Sequence, residues 1–114
     1  LVRLGYSQAI VAFRLLVVLP LGAHEQHGKH LPLETDTIIA NGVSERLMTR
    51  LGKDFPAGFL PARAVGYSPE HMDFPGTRTL TYGAAVEDWC AIGEQASGLG
   101  MRKMLLLNAH GGNS

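Results

Sequence analysis

The sequence predicts an α/β fold with a mostly parallel sheet, on three observations. Two apolar runs, Leu15-Leu16-Val17-Val18-Leu19-Pro20 and Met104-Leu105-Leu106-Leu107, are continuous rather than alternating, as strands covered on both faces tend to be. Segments with helical spacing of apolar residues separate the strands. The chemically loaded residues come directly after strands, and in an open parallel sheet that is the ligand-binding edge.

In chain order, Ser7 is placed to cap a short helix running to Ala12. Residues 15–20 form the first strong strand. Residues 37–51 carry Ile39, Val43, Leu47 and Leu51 at four-residue steps, and Gly52 supplies the stop of an amphipathic helix. Residues 58–63 make a weaker strand, because Pro61 suits an edge or an irregular stretch. Residues 83–99 carry a second stripe, Val86, Trp89, Cys90, Gly93 and Ala96, closed by Gly100. Residues 103–108 form the last strand. Loops 22–36, 66–77 and 108–113 then converge at one edge of the sheet.

The 114 residues fit one small domain, with ten basic and ten acidic residues in balance. That neutrality gives no footprint for nucleic acid or an anionic membrane. No apolar run approaches the ~20 residues of a membrane span. A lone cysteine, Cys90, excludes an internal disulfide framework and fits a reducing, cytoplasmic setting. The chain opens on Leu1 and closes on Ser114 just after a Gly-rich turn, which suggests a piece of a larger domain.

The first loop holds three of the five histidines and three of the ten acids. If residues 24–27 are extended, Glu25 and His27 share a face, and Asp36 in the first turn of the next helix can fold back over it. This mixed oxygen and nitrogen set suits Zn²⁺, Mn²⁺ or Fe²⁺ better than Ca²⁺ or Mg²⁺. The bland alternative is a solvated loop in which Asp36 or Thr35 caps the helix. His24, His30 and Glu34 read as surface residues. In the last loop, His110 sits at a strand mouth before Gly111 and Gly112, which permit close backbone approach or positive φ. The middle loop, Gly66-Tyr67-Ser68-Pro69-Glu70-His71, lacks the spacing of a serine-hydrolase nucleophile elbow. It reads equally as a turn-rich loop or a substrate-binding one.

These segments together resemble the creatininase (creatinine amidohydrolase) family. The matching residues are Leu19-Pro20-Leu21-Gly22, Glu25-Gln26-His27-Gly28, His30-Leu31-Pro32-Leu33, Thr35-Asp36, Ser68, Glu70-His71, Phe74-Pro75-Gly76-Thr77 and Asn108-Ala109-His110-Gly111-Gly112-Asn113. The resemblance implies a three-layer α/β/α fold, with residues 1–114 as the N-terminal part of a single amidohydrolase domain. It implies a hydrolase of non-peptide C–N bonds in a small-molecule substrate such as a cyclic amide or formamide. Two divalent metals per site are implied, zinc first, with manganese or iron as alternatives. Carried over, Glu25 and His110 are ligands of one metal, His27 of the other, and Asp36 bridges both. A water shared by two such cations becomes hydroxide at neutral pH. Ser68 would contact substrate, while Glu70 and His71 are catalytic candidates that orient ligands or substrate. The resemblance also implies a homo-oligomer.

Two departures qualify it. Lys29 stands where the family usually has Pro, and Gly112 stands where creatininase itself has a metal-binding carboxylate. The second aligns the chain with His-Gly-Gly-Asn members and points away from creatinine. Two other classes stay open: a metal- or substrate-binding module without turnover, and a serine hydrolase using Ser68.

Overall fold

The computed structural model describes residues 2–3, 16–52, 54–69 and 75–114. The short helix expected at 7–12 lies outside them, as do Glu70 and His71. The described elements are β1 (Val2–Arg3), β2 (Leu16–Leu21), α1 (Thr35–Leu51), β3 (Ala57–Phe59), α2 (Tyr82–Gly98), β4 (Lys103–Asn108) and a 3₁₀ turn, Gly111–Asn113. The strands form one parallel sheet in the order β1-β3-β2-β4.

The continuous apolar run of β2 is explained by what covers each face. Side chains of a strand alternate sides. Val17, Leu19 and Leu21 pack with Leu60, Ile92, Ala96 and Met101, under α2. Val18 packs with Ala57 and Phe59, against Leu47, Met48 and Leu51 of α1. Each valine, leucine, isoleucine, phenylalanine or methionine side chain fully buried there contributes about 1.5–3 kcal/mol. The helices therefore lie on opposite faces, and the fold is the expected three-layer α/β/α arrangement. Neighbouring strands β2 and β3 lead to helices on opposite sides, which opens a crevice at their carboxyl ends.

Both helices form where periodicity places them, and Leu47, Leu51, Trp89 and Ala96 of the expected stripes pack on the core, but the N-terminal part of each stripe turns to solvent. In α1 the buried residues are Asp36, Ala40 and Ser44, whereas Ile39 and Val43 are each 49% exposed. The first turn sets this rotation. Thr37 packs on Gly22 and Asp36 turns inward, so the next positions toward the sheet are 40 and 44, about 100° round from 39 and 43. In α2 the buried face is Ala85, Ile92 and Ala96, with Trp89 half-buried, while Val86 and Cys90 are exposed. Thr81 caps α2 by accepting from the Ala84 N–H at 3.1 Å. Gly52 and Gly100 close the two helices with φ of +76° and +95°.

β3 stops at Phe59, ahead of Pro61, and pairing resumes only as a bridge between Leu21 and Arg63. Arg63 makes a two-pronged ion pair with Asp88, at 2.8 and 2.7 Å, which ties this irregular stretch to α2. β4 departs from expectation. It is the edge of the described sheet, and Leu105 and Leu106, on opposite faces of it, are 44% and 47% exposed, while Met104 and Leu107 pack against the two core clusters. No helix among the described residues is long and apolar enough to cross a membrane.

Candidate metal centre

The three loops meet at the carboxyl edge, and Asn113 is the knot. Its Nδ2 donates to Gly22 O at 3.1 Å, and its Oδ1 accepts from the Tyr67 N–H at 2.9 Å. The first loop is held to the middle one by the Gln26 N–H donating to Thr77 Oγ1 and the Arg78 N–H donating to His24 O. Asn108 Oδ1 accepts from the His110 N–H at 3.1 Å and so turns the chain at the exit of β4. Neither asparagine stands out in the sequence as more than part of a motif. The cue for both is a side-chain amide beside a strand exit, where backbone groups lack ladder partners.

Inside this knot are buried Glu25, Asp36, His110 and Ser68, with His27 half-buried beside them. Ligand atoms of Glu25, His27 and Asp36 all lie within 4.8 Å of one another. Asp36 sits between two imidazoles: its Oδ1 is 3.0 Å from His27 Nε2, and its Oδ2 is 2.9 Å from His110 Nδ1. Glu25 Oε1 is 3.3 Å from His110 Nδ1 and 3.8 Å from His27 Nε2. Asp36 is not a helix cap. The N-cap residue of α1 is Glu34, which makes no side-chain capping bond. Thr35 Oγ1 instead donates back to Pro32 O at 2.5 Å.

Ser68 has no exposed surface, and its Oγ lies 3.1 Å from His110 Nε2. His24 is half-buried and pairs through its backbone with Arg78; Lys29, His30 and Glu34 are exposed. Gly111 and Gly112 do not take positive φ. They lie in the 3₁₀ turn, and a Cβ on Gly111 would meet open space. A hollow of about 520 Å³ beside Gly100 and Lys103 opens at the other end of β4, remote from these groups.

The donor set fits a divalent cation. Donor atoms sharing one tetrahedral cation at bonds of ~2.0–2.2 Å lie about 3.3–3.6 Å apart; the Glu25–His110 separation of 3.3 Å has that spacing, and the Asp36 separations of 2.9 and 3.0 Å are a few tenths of an ångström shorter. Asp36 Oδ2 is buried and accepts no hydrogen bond among the described residues, despite its close imidazole. Carboxylate oxygens packed this way call for positive charge between them.

His27 carries a pKa raised above its ordinary 6.5. Burial alone lowers it, but the Glu25 carbonyl accepting from the ring and the nearby Asp36 and Glu25 carboxylates outweigh that. In the metal-free chain this stabilisation is complete below about pH 6.5 and is lost as pH rises through the raised value. A cation must displace the same proton. Zinc-induced thermal stabilisation is therefore expected to shrink as pH falls, beginning above 6.5; a gain that is flat across that window would remove His27 from the ligands.

A doubly wound parallel sheet whose crevice gathers two carboxylates and two imidazoles defines an α/β protein of the metal-binding type. The Creatininase family, described as creatinine amidohydrolase, matches residues 7–114. A mycofactocin precursor peptide peptidase of Mycobacterium tuberculosis is 40% identical over 103 residues, which cover 85% of this chain and 41% of that one. A solved structure named "Creatininase Mn" aligns with a TM-score of 0.83 and 30% identity over 96% of this chain and 43% of its own. A creatininase variant of the Zn-Zn type aligns over the same shares with a TM-score of 0.82 and 30% identity. The chain belongs to the creatininase family, and it spans about two fifths of the length of these relatives.

Proposed function

We propose that this chain supplies the metal centre of a hydrolase that cuts an amide C–N bond in a small molecule. The observation that carries the reading is Asp36, whose two oxygens face two imidazoles delivered by different loops, at 3.0 and 2.9 Å. In this reading Glu25 and His110 would hold one divalent cation and His27 a second, with Asp36 as the carboxylate that both would share. Zinc is the first candidate, with manganese or iron as alternatives; the solved relatives of the Mn and Zn-Zn types support this range.

Cations held there supply polarisation of the substrate carbonyl and a water of lowered pKa. The chain's own residues do the positioning. Asp36 fixes the spacing of the two imidazoles, and the Asn113 knot fixes the loops that carry them. Glu70 and His71 remain candidates for orienting ligands or substrate, because they follow Ser68 and Pro69 in the middle loop. The relative named as a peptidase supports including peptide-derived amides alongside cyclic amides and formamides. We read residues 1–114 as part of one domain, active as a homo-oligomer in the cytoplasm.

A second reading has one observation in its favour: Ser68 Oγ, His110 and Asp36 stand in the order of a serine-hydrolase triad, with 3.1 Å from Ser68 Oγ to His110 Nε2 and 2.9 Å from His110 Nδ1 to Asp36 Oδ2. Burial opposes it, since a nucleophile with no exposed surface cannot meet a carbonyl carbon. A third reading is a metal-binding module without turnover.

The test is metal content by mass spectrometry of the protein and its Glu25→Ala, His27→Ala double variant, with amide hydrolysis assayed with and without chelator. The expected result is stoichiometric metal and chelator-sensitive hydrolysis in the protein, with both lost in the variant. Stoichiometric metal in both proteins would overturn the ligand assignment. Chelator-resistant hydrolysis with labelling of Ser68 would favour the serine reading, and bound metal with no hydrolysis would favour the module.

A further inference from the structure

We propose that the two histidines meet the metal centre through opposite ring nitrogens, His27 by Nε2 and His110 by Nδ1, with Ser68 as a positioning residue for His110. The inference rests on the metal-centre reading above and concerns what aims its ligands.

A neutral imidazole bears one N–H and one lone pair, and a backbone carbonyl can only accept. Glu25 O lies 2.9 Å from His27 Nδ1. That nitrogen therefore carries the proton, and the lone pair of Nε2 faces Asp36 Oδ1 and Glu25 Oε1. In His110 the roles are exchanged. Tyr67 O lies 3.2 Å from Nε2 and Ser68 Oγ 3.1 Å from it, so Nε2 carries the proton and shares it between them. The lone pair of Nδ1 is left facing Asp36 Oδ2 and Glu25 Oε1.

The alternative form of His110 would donate from Nδ1 to Asp36 and accept from the Ser68 hydroxyl at Nε2. Two observations oppose it. It would set the Nε2 lone pair against the oxygen of Tyr67, an acceptor 3.2 Å away. It would also require a hydrogen bond at Asp36 Oδ2, an oxygen that accepts none among the described residues despite the 2.9 Å approach. The acceptors themselves are held in place. The Tyr67 N–H donates to Asn113 Oδ1 at 2.9 Å, and the Ser68 N–H donates to Thr79 Oγ1 at 2.7 Å. The middle loop thus aims a ligand that the last loop carries, and Ser68 acts through His110. Partners in this position orient a ligating ring and raise its basicity.

The experiment is a long-range proton–nitrogen correlation spectrum of the imidazoles in the isotope-labelled full chain, with and without Zn²⁺, paired with zinc titrations of Ser68→Ala and Ser68→Thr. With zinc, His27 is expected to show a protonated Nδ1 and His110 a protonated Nε2, and the zinc-dependent shift should fall on the other nitrogen of each ring. Zinc affinity is expected to weaken about tenfold or more in Ser68→Ala and to stay within about threefold of native in Ser68→Thr, which keeps the hydroxyl. Zinc bound through Nε2 of His110 would overturn this inference and leave the metal centre standing. No zinc-dependent shift at either ring would overturn both. Equal weakening in the two variants, or none in Ser68→Ala, would reduce Ser68 to a packing residue.

Discussion

Replacing Gly22 with alanine is expected to lower the thermal midpoint and strip the chain of metal in one step. Gly22 lies just past the end of β2, and a Cβ there would sit 2.7 Å from Thr37 Cα, a backbone atom in the first turn of α1. Backbone in a packed helix gives way poorly, and overpacking of this kind costs about 1–3 kcal/mol. In a domain of this size each kcal/mol moves the midpoint by roughly 4–8 °C. The functional loss comes from direction. Relief of the clash pushes α1 outward, and Asp36, the neighbour of Thr37, leaves the imidazoles with it. Gly111→Ala is the control, because its Cβ would meet open space and its φ is not positive. Calorimetry and metal analysis of the two variants should separate cleanly. A native midpoint with full metal in Gly22→Ala would mean that α1 is not held against the β2 exit.

Asp36→Asn should have the largest effect on metal without much change in shape. The substitution keeps the volume but removes the charge that both imidazoles face. Breaking a buried charge cluster by removing one member costs about 3 kcal/mol or more, which is roughly a hundredfold in affinity. Zinc titration calorimetry should therefore show at least that weakening at both sites if Asp36 bridges them. Loss at one site only would make Asp36 a simple ligand, and a change below about tenfold would remove it from the centre. In the metal-free variant the pKa of His27 should fall, since the Asp36 carboxylate is among the groups that raise it.

The fold was legible in the sequence where patterns are long. Both strong strands and both helices form within two residues of their expected positions, because continuous apolar runs and four-residue steps bound by glycine leave little choice of type. Which face of a helix turns inward was less legible. In the first half of α1 the exposed Ile38, Ile39 and Val43 are more apolar than the buried Ala40 and Ser44, so apolarity alone indicates the wrong side there, although Leu47 and Leu51 further along do pack on the core. The deciding contact, Thr37 on Gly22, is tertiary. The exposure of β4 likewise follows from its place at the edge of the described sheet, which spacing does not encode.

Glu25, His27 and Asp36 were legible as one donor set from period-two geometry and the helix that follows, and strand-following position put His110 beside them, its place as a ligand coming only from the resemblance. Ser68 was found by resemblance, but its burial against His110 was not foreseen. The carbonyls of Glu25 and Tyr67 were beyond reach, since every residue has one and only the fold selects which is aimed at a ring. Asn113 escaped for a similar reason. An asparagine after a glycine pair reads as a turn, and its partners are distant in sequence.

That distance has a kinetic consequence. Asn113 reaches Gly22 across 91 positions and Tyr67 across 46, and His110 joins Asp36 from a strand that pairs only after two crossovers. Long loops must close before such contacts repay their entropy, so parallel pairings of this kind form slowly. Glu25 and His27, close neighbours on one loop, are by themselves a weak chelator available early. The complete ligand set exists only once β4 has docked. Metal capture at full strength is thus a signature of completed folding, and a zinc-sensitive probe mixed with refolding chain would report the final step rather than the first.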